Sequence, residues 1–152
     1  MRITLVAVGR AKSDATAALF HDYTKRLRWP LRLHEIEERG KLDVEQRRTR
    51  EGERLMAAVP NGARLVALDE RGKSLDSAAF ATLLRRWQDE GTSDLAFVIG
   101  GAEGLSGALL ARADLTLSFG PMTWPHMLAR ALLAEQLYRA QCILDGHPYH
   151  RG

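Results

Sequence analysis

The run Leu95-Ala96-Phe97-Val98-Ile99 contains no polar side chain and is bounded by Asp94 and by Gly100-Gly101. A short, wholly apolar strand has both faces covered, which is the situation in the middle of a helix-flanked parallel sheet. Such a sheet requires strands that alternate with helices along the chain.

The rest of the sequence supplies that alternation. Ile3 to Val8 reads as a β-rich first strand ending at Gly9, and Asp14 caps a helix reaching Leu27, with Ala17, Ala18, Phe20 and Leu27 at helical spacing. Leu31 to Ile36 partly alternates, as an edge strand does, and Asp43 opens a charged helix that stops at Pro60-Asn61-Gly62. Arg64–Leu68 is a third strand, after which Leu68 to Ser74 reads as a strand-to-helix loop. Ser74 or Asp76 opens a helix running to Gly91. A short helix follows over Ser106–Arg112, then a strand over Leu115–Phe119 and a final helix over Met127–Leu144. No repeat, linker or low-complexity block divides the chain, so residues 1–152 form one α/β domain with a mostly parallel sheet flanked by helices.

In the last helix the polar residues Arg130, Glu135, Gln136, Arg139 and Gln141 share no single stripe, and apolar groups occupy most directions around the axis. A helix of that kind must be covered on more than one side, which a two-fold partner would do. Its polar interruptions exclude a membrane span, and the first residues lack the long apolar region of a signal peptide. A lone Cys142 rules out an internal disulfide and suits a reducing, cytoplasmic setting.

Charge is unevenly spread. Residues 1–60 hold 13 Lys/Arg against 9 Asp/Glu, whereas residues 61–152 hold 9 against 10. The basic half suits a polyanion docked beside a small-molecule site. On charge alone the better reading is a solvated helix face in which Arg47, Arg48, Arg50 and Arg54 interleave with Glu45, Glu51 and Glu53.

Three segments carry the chemistry: Ile99-Gly100-Gly101-Ala102-Glu103-Gly104-Leu105, Phe119-Gly120-Pro121-Met122-Thr123-Trp124-Pro125-His126, and His147-Pro148-Tyr149-His150-Arg151. The first follows the central strand, at the sheet end where ligands of open α/β folds bind. Its glycine spacing differs from the dinucleotide fingerprint, and Gly72-Lys73-Ser74 lacks the earlier glycine of a phosphate loop, since that position is Ala67. His147 and His150 flank Pro148-Tyr149 with no cysteine or paired carboxylate beside them, so no metal is expected.

Together these segments, with Glu135-Gln136-Leu137-Tyr138-Arg139-Ala140, resemble in order and spacing the RlmH family of large-subunit ribosomal RNA methyltransferases, of the SPOUT class. Leu5-Val6-Ala7-Val8-Gly9 and Leu68-Asp69 with Gly72-Lys73 extend the resemblance over the whole chain. The resemblance implies a cytoplasmic homodimer with a C-terminal trefoil knot, an exception among chain topologies. S-adenosylmethionine would bind in the knot, and N3 of a pseudouridine in 23S ribosomal RNA would be methylated. The implied cofactor residues are Leu68, Gly101, Gly120, Pro121, Met122, Thr123, Trp124 and Pro125. Pro121 and Trp124 occupy variable places of the family's second loop, and Pro121 leaves one backbone donor fewer there.

The cofactor carries its own activated methyl, so the protein supplies binding, orientation and electrostatics. The acceptor is an imide nitrogen that must lose its proton, for which a histidine base and a nearby cation are suited. His126, Arg139, Tyr149 and His150 are the candidates. Each also has a plainer reading: a helix-start histidine, a surface or interface ion pair, and a tail packed for stability. The dimer inference lets the tail complete a site on the other subunit. Lys12, Lys25, Arg26 and Arg28 are candidate contacts to ribosomal RNA. Two other readings remain: a SPOUT methyltransferase with another RNA target, and a non-enzymatic RNA- or ribosome-binding module.

Overall fold

A computed structural model describes residues 1–151. The chain forms β1 (Arg2–Val8), α1 (Ala15–Thr24), β2 (Leu31–Ile36), α2 (Val44–Ala58), β3 (Arg64–Ser74), α3 (Ser77–Asp89), β4 (Asp94–Ile99), α4 (Gly107–Arg112), β5 (Leu115–Ser118) and α5 (His126–Asp145). The five strands lie in the order β2-β1-β4-β3-β5, and every neighbouring pair is parallel.

The apolar run of β4 sits in the middle of this sheet. Leu95, Phe97 and Ile99 enter the core on one face, under α1, α3 and α5, while Ala96 and Val98 enter the core on the other, under α2 and α4. Phe97 is fully buried and meets Phe80 of α3 edge-on, with ring centroids 6.4 Å apart. The crossovers obey one rule. Steps toward the β2 edge run through α1 and α3 on one face, and steps toward the β5 edge run through α2 and α4 on the other. All four therefore share one hand, as connections between parallel strands require.

The expected caps start the helices. The Asp14 carboxylate accepts from the Thr16 and Ala17 amides, Asp43 and Gln46 form a reciprocal capping box, and Asp76, not Ser74, caps α3. The Ser106 hydroxyl does the same for α4.

The third strand departs from expectation. It does not end at Leu68 but resumes beyond a bulge: Leu117 of β5 pairs with both Leu68 and Lys73, so residues 69–72 loop out of the ladder. The Asp69 carboxylate accepts from the Arg71 amide at 2.8 Å and closes the loop. Gly72 lets the chain return, because a Cβ there would stand 2.6 Å from the Thr116 carbonyl oxygen.

The girth of α5 also has a reason within one chain. Leu133, Leu137 and Ala140 are buried in the core on the α1, α3 face, and α1 and α3 pack along the helix. Its buried polar residues have partners: Gln141 accepts from the Arg28 amide at 2.6 Å and donates to the Arg26 carbonyl. No helix among the described residues is long and apolar enough to cross a membrane.

The edges are short. β2 is six residues long and exposes Arg32 and His34, and β5 is four residues long. Because Phe97 joins the central strand to α3, Phe97→Ala is expected to lower the unfolding free energy by about 3–5 kcal/mol. Urea titration checks this as a shift of midpoint at constant slope.

Candidate active site

The carboxyl ends of β3, β4 and β5 deliver three backbone segments to one place: the β3 bulge, the glycine turn after β4, and the loop from Phe119 to Pro125. They enclose a cleft of about 940 Å³. The glycine turn folds on itself, the Gly104 amide donating to the Gly101 carbonyl at 3.0 Å. A Cβ at Gly101 would come within 3.0 Å of Val8 Cγ1 and 3.3 Å of Glu51 Oε2. This glycine is therefore demanded by what packs behind the turn.

Side chains tie the segments to one another. The Ser118 hydroxyl donates to the Glu70 carbonyl at 2.9 Å and accepts from the Gly120 amide at 3.0 Å. The Thr123 hydroxyl reaches the Glu70 carboxylate at 3.3 Å, and the Trp124 indole N–H donates to the Phe119 carbonyl at 3.3 Å. From α2, Arg48 Nε donates to the Glu103 carbonyl at 2.9 Å and braces the outer turn. Hydrogen bonds and charge from Arg71 hold the Asp69 carboxyl below its ordinary range, so an anion stands at the cleft wall. Met122 and Trp124 are 72% and 42% exposed, leaving apolar surface uncovered at the rim. Size, uncovered apolar surface and a few fixed polar groups fit a nucleoside-sized ligand.

Seven of the eight residues expected to hold the cofactor line this cleft: Leu68, Gly101, Gly120, Met122, Thr123, Trp124 and Pro125. Pro121 does not; it lies exposed in the bend after Gly120, where the chain turns outward. His126 also lines the cleft, as the first residue of α5.

Arg139, Tyr149 and His150 lie elsewhere. Arg139 is on the same helix as His126 but about 20 Å farther along, at a rise of roughly 1.5 Å per residue. There the tail folds back onto α5. Glu135 Oε1 accepts from Arg139 Nη2 at 2.6 Å, from Arg139 Nε at 2.9 Å and from the Tyr149 hydroxyl at 2.9 Å. His150 Nδ1 lies 3.0 Å from Arg139 Nη1, and the Tyr149 ring packs edge-on against Tyr138 with centroids 4.8 Å apart. Burial, followed by hydrogen bonds to Tyr23 and Glu135, pushes the Tyr149 hydroxyl well above the ordinary phenol range, so it stays a donor. The four catalytic candidates thus divide into one at the cleft and three in a distant cluster.

Two further residues stand out in the structure. Arg130 is 2% exposed; its guanidinium meets Glu35 Oε2 at 2.6 Å and the Gly9 carbonyl at 3.2 Å, binding α5 to the ends of β1 and β2. Burial alone would raise the Glu35 carboxyl, but hydrogen bonds from Arg130 and the Ala11 amide prevail and lower it. A charged residue on a helix apolar nearly all round was the signal for Arg130. Glu51, behind Gly101, is 5% exposed, and its Oε1 has no hydrogen-bond partner among the described residues. Burial pushes its carboxyl above the ordinary range. Nothing in a helix as charged as α2 sets this glutamate apart, and its burial removes it from the solvated face expected there.

Residues 1–150 match the family described as "Predicted SPOUT methyltransferase". The chain belongs to the SPOUT methyltransferases. Within them it is 58% identical over 151 residues to the ribosomal RNA large subunit methyltransferase H of Rhodospirillum centenum, and 55% identical to that of Paramagnetospirillum magneticum; each alignment spans 99% of both chains. Among solved structures, a probable methylase family protein from Haemophilus influenzae shares the fold with a TM-score of 0.57 at 15% identity, covering 99% of this chain and 70% of that one. The SpoU methyltransferase AviRb from Streptomyces viridochromogenes, solved in complex with AdoMet, has a TM-score of 0.50 at 14% identity, covering 92% and 58%. In this SPOUT chain no group of three or more His, Cys, Asp or Glu suited to a metal ion occurs among the described residues.

The raised Glu51 carboxyl has a measurable sign. Folding favours its protonated form, so its contribution is fully present below the unfolded-state pKa and is lost as pH rises through the folded value. Glu51→Gln is expected to gain stability relative to the native chain as pH rises above the ordinary glutamate range, read as a growing difference in melting temperature.

Proposed function

We propose that this chain is an S-adenosylmethionine-dependent methyltransferase acting on N3 of a pseudouridine in 23S ribosomal RNA, as a cytoplasmic homodimer with a C-terminal knot. The observation that carries this reading is the cleft itself, walled by seven of the eight cofactor residues the RlmH resemblance designates, in a chain alike end to end with relatives named as ribosomal RNA methyltransferases.

S-adenosylmethionine supplies, when bound, a methyl group activated by its sulfonium. The remaining work falls to this chain. Leu68, Met122 and Trp124 offer apolar cover to a purine, and backbone groups of the glycine turn and the loop from Gly120 to Pro125 offer donors and acceptors. Asp69 and Glu70 supply anionic acceptors at the same wall. Alignment of donor and acceptor dominates a displacement of this kind; the β3 bulge and the loop after β5, tied through Ser118 and Glu70, and the glycine turn braced by Arg48 keep the pocket in shape. His126, which lines the cleft with its side chain beside Gly9, serves in this reading as the base for the acceptor N3–H.

The tail cluster fits the dimer reading. Arg139 and His150, about 20 Å along the helix, are beyond the span of their side chains from the cleft of their own chain. They act on the acceptor only if a second copy presents them to its partner's cleft. Arg139 there stabilises the anion that forms as N3 loses its proton.

Calorimetry is expected to show S-adenosylmethionine binding, and mass mapping to show one methyl on a pseudouridine after treatment of assembled large subunits. No heat of binding overturns the enzymatic reading, and a methyl on another nucleotide overturns the target. The shared site has its own measurement: His126→Ala and a chain ending at Gly146 are each inactive alone, and mixing them restores activity, because one hybrid cleft is whole. Mixtures as inactive as their components overturn a site built from two copies.

A further inference from the structure

We infer that a second cavity, at the carboxyl ends of β1 and β2, is the dock for the phosphodiester backbone of the RNA substrate. This rests on the methyltransferase reading and goes beyond it by locating the surface. The cavity measures about 820 Å³ and is lined by Arg10, Glu35, Glu37, Glu38, Arg39 and Arg54.

The lining itself holds three arginines and three glutamates, and the excess of cations comes from Arg47 and Arg50 beside it. Arg10 and Arg39 share Glu37 at 3.9 and 3.0 Å, and Arg50 and Arg54 share Glu38 at 3.7 and 3.3 Å. Four guanidinium groups thus divide two carboxylates. Glu35 adds nothing toward them, being taken up by Arg130 and the Ala11 amide. Arg47 adds a fifth cation whose bonds run to the Glu38 and Gly40 carbonyls, at 2.5 and 2.6 Å, rather than to an acid.

The arrangement is layered as well as unbalanced. The arginine side chains are 51–79% exposed, while Glu38 beneath them is 14% exposed. The cations therefore stand outward over a floor of anions, with guanidinium N–H groups left for an incoming acceptor. Arg47 and Arg54 are also fixed by bonds to the carbonyls of the β2–α2 loop, so part of the ordering cost is met before a ligand arrives. Planar, always-charged forks of this kind match phosphate geometry.

Position decides the partner. Arg130 joins Glu35 of this basin to the Gly9 carbonyl, and Gly9 lies beside His126 and Met127, so the first turn of α5 is the ridge between basin and cofactor cleft. A nucleic-acid strand held over the basin presents its next nucleotide across that ridge to His126. Lys12 belongs to the same side, in the loop after β1. Lys25, Arg26 and Arg28, by contrast, pair with Asp22 or Asp145 at the far end of α1.

The test uses the full chain and a ribosomal RNA stem-loop followed by fluorescence anisotropy across a potassium chloride series. The double variant Arg10→Gln/Arg39→Gln is expected to weaken RNA binding at least tenfold and to reduce the log–log salt slope by about 1.5 to 2, as loss of two phosphate contacts requires. Its calorimetric affinity for S-adenosylmethionine stays that of the native chain, which also certifies folding. Arg85→Gln/Arg86→Gln on α3, a change of equal charge elsewhere, leaves affinity and slope near native values. Native affinity and slope in the Arg10/Arg39 variant overturn the dock, as does equal weakening by the α3 pair or native protein that does not bind the RNA. If the native chain binds the stem-loop through these arginines but transfers no methyl, the catalytic reading fails and the dock stands.

Discussion

Covering β4 on both faces is the requirement on which the architecture rests. A strand with Leu95, Phe97 and Ile99 on one side and Ala96 and Val98 on the other needs a helical layer above and below. Parallel strands need crossovers to reach those layers, and because all five strands run the same way every strand-to-helix turn lies at one end of the sheet. The cleft beside the glycine turn and the arginine basin both lie at that end, over β3, β4 and β5 and over β1 and β2 respectively. Their closeness is a product of topology before any side chain is considered.

The secondary structure was legible because its signals are local. Alternation, apolar runs and the capping acids Asp14, Asp43 and Asp76 act within a few residues of where they stand. The β3 bulge was not legible, because Gly72 answers to Thr116 on a strand that is distant in sequence. The same holds for Glu51, whose burial depends on the glycine turn lying against α2. Arg130 is intermediate: its place on an apolar helix required a buried partner, but nothing in the sequence named Glu35. At the site, seven of the eight residues that the resemblance named line one cleft, and motif order could not foresee that Pro121 lies exposed beside it. Nor could motif order reveal how far along α5 the tail cluster lies from His126.

α5 acts as the spine of the functional surface. Its first turn separates the two cavities and is bolted to β1 and β2 through Arg130. Its body is held by α1, α3 and the sheet, and its last turns carry the tail cluster. A rigid helix keeps His126 and the tail cluster at a constant separation, which a flexible linker would not do. The interactions of Glu135 with Arg139 and Tyr149 extend that rigidity into the last residues, where chains commonly fray.

The sheet margins carry a consequence for how copies of this chain meet. β2 interleaves Arg32 and His34 with its apolar residues, and β5 provides only four residues of ladder. Charged or abbreviated borders make poor templates for cross-chain hydrogen bonding. The fold is thereby guarded against edge-to-edge aggregation.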